Sequence, residues 1–107
     1  LGMANAEPLN DDGERGCIIL TASVAAQDGQ IGQVIYGSCK AGVNGLVLPM
    51  ARDLMDVGIR VNSVMPGIFA TPLMLGMKDR NPPMWAQLNA SVPFPKRLGE
   101  PEEFASL

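Results

Sequence analysis

Cys17-Ile18-Ile19-Leu20-Thr21, closed by Ala22-Ser23, is the stretch on which the fold turns. A short apolar run without polar alternation suits a strand covered on both faces, as in a parallel sheet. Gln27-Asp28-Gly29-Gln30 and Gly32 follow as a turn-rich connection. The apolar pattern then predicts one long helix over about Val34 to Met55, roughly 33 Å at 1.5 Å per residue. Pro49 has no N–H to offer the Gly45 carbonyl, so a bend is expected there, and Gly58 is placed to stop the helix. Ile59-Arg60-Val61-Asn62-Ser63-Val64-Met65 reads as the next strand, closed by Pro66-Gly67. Strand, long helix, strand is a βαβ unit, with parallel strands and a right-handed crossover. The fold class is therefore α/β.

Outward from that unit the signals weaken. Ala6 to Gly16 is polar and acidic and reads as a solvated loop. From Ile68 to Pro95, Met74, Met77, Met84, Trp85 and Leu88 are scattered among prolines. Gly99-Glu100-Pro101-Glu102-Glu103 opens another helix, with proline in the first turn and acids at the positive end of the dipole. Cys17 and Cys39 read as small packing residues, Cys17 within the buried strand. The stretch Ala41 to Ala51 carries Asn44 as its single polar side chain, so that part of the helix must be covered on more than one side.

Composition excludes several functions. The chain has 107 residues, is 47% hydrophobic and carries a net charge of −3, enough apolar content for a core and no basic surplus for a nucleic-acid face. Histidine is absent, which rules out a Ser-His-Asp or Cys-His nucleophile and a histidine-ligated metal within these residues. Two cysteines are too few for a metal site of their own and fit a reducing compartment. No apolar run is long enough to span a membrane, and the first residues lack the features of a signal peptide. Leu1-Gly2-Met3 also does not read as a natural beginning.

Proton chemistry without histidine falls to carboxylates, lysine, cysteine and the single tyrosine. Tyr36 and Lys40 are four apart and share a helix face, where the cation favours the phenolate. Ser23 stands at the carboxyl end of the first strand, where open α/β sheets bind ligands, thirteen residues before Tyr36. A hydroxyl there can hold a substrate oxygen while the phenol gives or takes its proton. The second strand ends in Pro66-Gly67, with Thr71 four residues after the glycine.

Strand-Ser, thirteen residues, Tyr-x-x-x-Lys, strand, Pro-Gly resembles the short-chain dehydrogenase/reductase family over about Gly16 to Ala105. The resemblance implies the C-terminal portion of a Rossmann-like doubly wound parallel sheet, with residues 1–107 forming a partial domain. Thr21 to Gln33, Pro49 to Leu54 with Gly58 to Val61, and Pro93-Phe94-Pro95 with Arg97-Leu98-Gly99 are similar to the type 2 3-hydroxyacyl-CoA dehydrogenases within it. Residue by residue, the family pattern implies that Ser23 orients the substrate oxygen, Tyr36 is the acid/base and Lys40 assists it while holding the nicotinamide ribose. Pro66, Gly67, Phe69 and Thr71 would line the nicotinamide end of the cofactor, partly through backbone groups, and Gln30 would lie near the substrate. Met74, Met77, Met84, Trp85 and Leu88 fall where the family has a mobile substrate lid.

The implied activity interconverts a secondary alcohol and a ketone with NAD, NADP being left open, and the implied substrate is 3-hydroxyacyl-CoA. A 3-oxoacyl-thioester reductase, a hydroxysteroid dehydrogenase and a non-catalytic interaction fragment are the alternatives. The resemblance also implies a homo-oligomer, dimer or tetramer, through helix 34–55. It places the protein in the cytoplasm of a bacterium or the mitochondrial matrix of a eukaryote. No metal, membrane or nucleic-acid partner is expected. Departures are specific: no two glycines are two residues apart, so neither GxGxxG nor GxxxGxG can be written on this chain. The glycine-rich half, the helix carrying the family's asparagine and the final strand are expected to lie outside it.

Overall fold

The computed structural model describes residues 2–107, which divide into two compact units, residues 2–66 and 67–107. The first is the predicted βαβ unit. Strand β1 (Gly16–Thr21) pairs in parallel with β2 (Ile59–Val64), Gly16 facing Ile59 and Thr21 facing Val64. Between them run helix α1 (Val34–Gly45), helix α2 (Val47–Leu54) and a 3₁₀ turn, Met55–Val57.

Three expectations change here. The single helix from Val34 to Met55 is divided at Leu46, which nonetheless keeps right-handed helical dihedrals of −70° and −22°. Pro49 is still the cause: it deprives the Gly45 carbonyl of its donor, and the ladder lapses one turn upstream. Proline then sits comfortably in the first turn of α2. Second, the strands are covered on one face only. Burial alternates along β1, and Ile19 on its outward face is 56% exposed. The two helices of the crossover cover one side of a sheet, and nothing among the described residues covers the other. Third, both Cys17 and Cys39 are exposed, so neither is a buried packing residue. Cys17 lies on the open face of β1 because side chains alternate along a strand.

Gly58 ends the helical segment as expected, in the left-handed region with φ 71°. A Cβ there would stand 2.1 Å from the Gly13 carbonyl oxygen, so the position also needs the missing side chain. The acidic loop is more ordered than solvation alone requires. Glu14 pairs with Arg60 at 2.8 Å, and Arg15 N–H donates to the Gly58 carbonyl at 2.7 Å.

Residues 67–107 hold three short helices, α3 (Pro72–Arg80), α4 (Pro82–Ser91) and α5 (Pro101–Ala105). Each begins at a proline. The first two were not legible from periodicity, yet Asn81 caps α4 by accepting from the Met84 N–H at 3.2 Å. A parallel bridge joins Phe69 to Gly99. The Phe69 ring packs edge-on against Phe104 with centroids 5.5 Å apart. No helix is long and apolar enough to cross a membrane, among the described residues.

Candidate active site

The carboxyl end of β1 builds the site from its backbone. Ala22 N–H donates to the Val64 carbonyl at 2.9 Å, and Val24 N–H donates to the Pro66 carbonyl at 3.1 Å. The chain between them therefore stays bound to the end of β2, and Ala22 and Ser23 are buried. Ser23 is extended, with φ −167° and ψ 154°, and caps the 3₁₀ turn Val24–Ala26. Its Oγ accepts from the Ala25 N–H at 3.2 Å. Capping uses an oxygen lone pair and fixes the side chain, leaving the hydroxyl proton to donate.

Helix α1 brings Tyr36 and Lys40 to this edge, and Gly37 makes the approach close enough. A Cβ on Gly37 would lie 2.9 Å from the Ala25 carbonyl oxygen. Any other residue there would push α1 away from the Ser23 turn. Lys40 Nζ donates to the Thr21 carbonyl at 2.8 Å and lies 5.9 Å from the centre of the Tyr36 ring. The ammonium has three protons and uses one on Thr21, so two remain for a ligand. Tyr36 is half exposed, as a group that must meet a substrate has to be.

Gln30 is placed differently. It lines an open groove of about 410 Å³ with Ala25, Gln33, Gly37, Ser38 and Ala41. At about 100° per residue those helix positions lie on a different face of α1 from Tyr36 and Lys40. The structure thus gathers Ser23, Tyr36 and Lys40 at the strand ends and leaves Gln30 beside another face of the same helix.

Pro66 closes the first unit, accepting from Val24 N–H. Gly67, Phe69 and Thr71 belong to the second. Gly99 must lack a side chain there, because its Cβ would stand 2.6 Å from the Phe69 ring. The Phe69 ring is thus packed against Gly99 and Phe104. Thr71 precedes α3 and is exposed, and its hydroxyl makes no capping bond. Met74, Met77, Trp85 and Leu88 are half buried on α3 and α4, whereas Met84 and Leu73 are exposed.

Sequence reasoning did not single out Gly37 or the Thr21 carbonyl. A glycine inside a helix, where alanine is favoured, was the available sign of a close approach.

Comparison with known proteins identifies the family. The short-chain dehydrogenase family model described as enoyl-(acyl carrier protein) reductase matches residues 1–107. The 3-hydroxyacyl-CoA dehydrogenase type-2 of Drosophila melanogaster is 49% identical over 106 residues, covering 99% of this chain and 40% of its own. The crystal structure of 3-hydroxyacyl-CoA dehydrogenase type-2 from Mycobacterium avium matches with a TM-score of 0.84 and 50% identity, over 97% of this chain and 38% of that one. ElxO with NADP bound matches with a TM-score of 0.75 and 28% identity, over 84% of this chain and 36% of that one. The chain spans about two-fifths of the length of the curated relatives that it matches. With the family model matched throughout and the Ser23, Tyr36 and Lys40 pattern held at the strand ends, the chain belongs to the short-chain dehydrogenase/reductase family.

Proposed function

We propose that the whole protein interconverts a 3-hydroxyacyl-CoA and the matching 3-oxoacyl-CoA with a nicotinamide cofactor, NAD being favoured by the resemblance to the acyl-CoA enzymes. The observation that carries the reading is the Lys40 ammonium, set between the Thr21 carbonyl at 2.8 Å and the Tyr36 ring at 5.9 Å. The capped, buried Ser23 stands two residues beyond Thr21. Ser23 donates its hydroxyl proton to the substrate oxygen and holds it in place. Tyr36 takes the alcohol proton in oxidation and returns it in reduction. Lys40 places positive charge 5.9 Å from the centre of the Tyr36 ring and offers its remaining protons to a ribose hydroxyl. These donors fit a nicotinamide nucleoside, whose chemistry when bound is to accept or give the hydride. By the family pattern alone, Pro66, Gly67, Phe69 and Thr71 would serve its nicotinamide end, partly through backbone groups. The likeness to 3-hydroxyacyl-CoA dehydrogenases in name and sequence supports the substrate class.

Steady-state kinetics of the full-length protein test this. Tyr36→Phe should lower kcat by about 10²–10⁴, the usual contribution of general acid/base catalysis, with nucleotide affinity nearly unchanged. A kcat within a factor of about three of wild type would refute the assignment.

A further inference from the structure

Tyr36, Lys40 and Asn44 follow one another at intervals of four along α1 and therefore share one stripe. Two of the three are tied to the sheet. Lys40 Nζ donates to the Thr21 carbonyl at the end of β1, and Ser63 Oγ of β2 donates to Asn44 Oδ1 at 2.5 Å. Among the described residues these are the two side-chain hydrogen bonds that join α1 to the sheet.

The helix needs them. None of its residues is fully buried; Gly37 seats it against the Ala25 carbonyl near its N-terminal end, and Val43 and Asn44 are half-buried near the other, so packing alone holds its rotation weakly. Its C-terminal end is also the point where Pro49 interrupts the backbone ladder. Asn44 is the single polar side chain between Ala41 and Ala51, so α1 has no second polar anchor in that stretch. The consequence of rotation is large. A tyrosine hydroxyl stands roughly 9 Å from a helix axis, so a roll of about 10° moves it by about 1.5 Å.

We infer that the Asn44–Ser63 hydrogen bond is the rotational pin of α1, a positioning pair that keeps Tyr36 and Lys40 in register with the strand ends. This rests on the reading of Tyr36 and Lys40 as the proton-transfer pair. The pin matters most when a ligand is held. A lysine that holds a ribose hydroxyl with its remaining protons is pulled from two sides, and the Asn44–Ser63 bond is the one tether to the sheet that carries no ligand. Asn44 and Ser63 are one turn further along and need touch neither cofactor nor substrate.

The test is kinetic, on the full-length protein with NAD and a short 3-hydroxyacyl-CoA. Ser63→Ala and Asn44→Leu remove the bond from opposite sides, so the result does not depend on one variant folding. Each should lower kcat about tenfold, within the range that a misplacement of about 1 Å produces, and raise KM for NAD. Ser63→Thr keeps the hydroxyl and should stay within twofold of wild type. In a Lys40→Met background, Ser63→Ala should add less than a twofold loss, because the pin acts through the pair it positions. Single variants within twofold of wild type in kcat and in KM for NAD would overturn the inference. So would a full tenfold loss persisting in the Lys40→Met background, the mark of a purely structural role. Tyr36→Phe run alongside separates the two readings: if it abolishes turnover while Ser63→Ala is silent, the pin alone is wrong. If Tyr36→Phe is itself silent, the site reading fails first.

Discussion

Residues 2–66 and 67–107 are held together by opposite means. The first unit is built over long sequence distances, with β1 and β2 about forty residues apart in the chain. Its elements follow from apolar runs, and it ends half covered. Ile19 faces outward on the sheet, and Val34, Ile35 and Leu48 are exposed on the helices. The second unit relies on local chemistry. Its three helices each start at a proline, and two of them carry side-chain caps, Asn81 on α4 and the Glu100–Glu103 capping box on α5. Asn89 Oδ1 accepts from Leu98 N–H at 3.2 Å, and Arg97 grips Glu103 with both of its terminal nitrogens. Periodicity makes elements that need further partners to cover them. Caps and ion pairs make elements whose polar ends are satisfied where they stand.

The comparison breaks first if the helices of the first unit are not a contact surface. Leu48 is 57% exposed on α2 with no buried neighbour on that helix. If a second copy covers this face about a two-fold axis, each substitution acts twice. Leu48→Glu should then dissociate the full-length protein to a smaller species, since it buries two like charges without partners. Sedimentation velocity decides it. An unchanged assembly in the variant, or a monomeric wild type, means that the face is covered by another part of the chain.

Next in size is Gly58→Ala, which tests how far the first unit depends on backbone geometry. A Cβ at φ 71° is strained, and at 2.1 Å from the Gly13 oxygen it must displace the loop as well. The expected loss is about 2–4 kcal/mol, combining left-handed strain with a clash against backbone. A urea-unfolding midpoint indistinguishable from wild type would show that the Gly13 turn is free to move aside.

The fold of the first unit was legible because each strand is an apolar run and the segment between them is too long for anything but a crossover. Ser23, Tyr36 and Lys40 were legible because spacing of four on a helix and a serine at a strand end are features of the chain itself. The Leu46 interruption was not, because Pro49 acts one turn upstream of where it stands. The open face of β1 was not either, since an apolar run states what a strand needs and not what covers it. Gly37 and the Ser63–Asn44 bond depend on two elements meeting, and neither partner signals the other. In the second unit α5 was legible from Pro101 and the acids after it, whereas α3 and α4 have no hydrophobic period to mark them.

The smallest effect belongs to the second unit and sharpens the contrast. Arg97 reaches Glu103 at 2.7 Å, and the Glu100 N–H donates to the same carboxylate at 2.7 Å. These bonds, Arg97 foremost, hold the Glu103 carboxyl at about 2, well below its ordinary 4.5. Because the folded form favours the ionised carboxylate, the contribution to stability is complete above the ordinary value of about 4.5 and is lost as the pH falls toward about 2. Glu103→Gln keeps the size and one acceptor but cannot ionise. Its stability should therefore fall less steeply with acid than that of wild type between pH 4.5 and 2, the wild-type advantage vanishing at the low end. The pair is solvent-exposed, with side chains 45% and 52% accessible, so added salt should shrink the difference further. Urea midpoints of both proteins across that window measure it. Parallel pH profiles would mean that the Glu103 interactions order α5 without stabilising the unit, leaving the proline and the backbone ladder to do so.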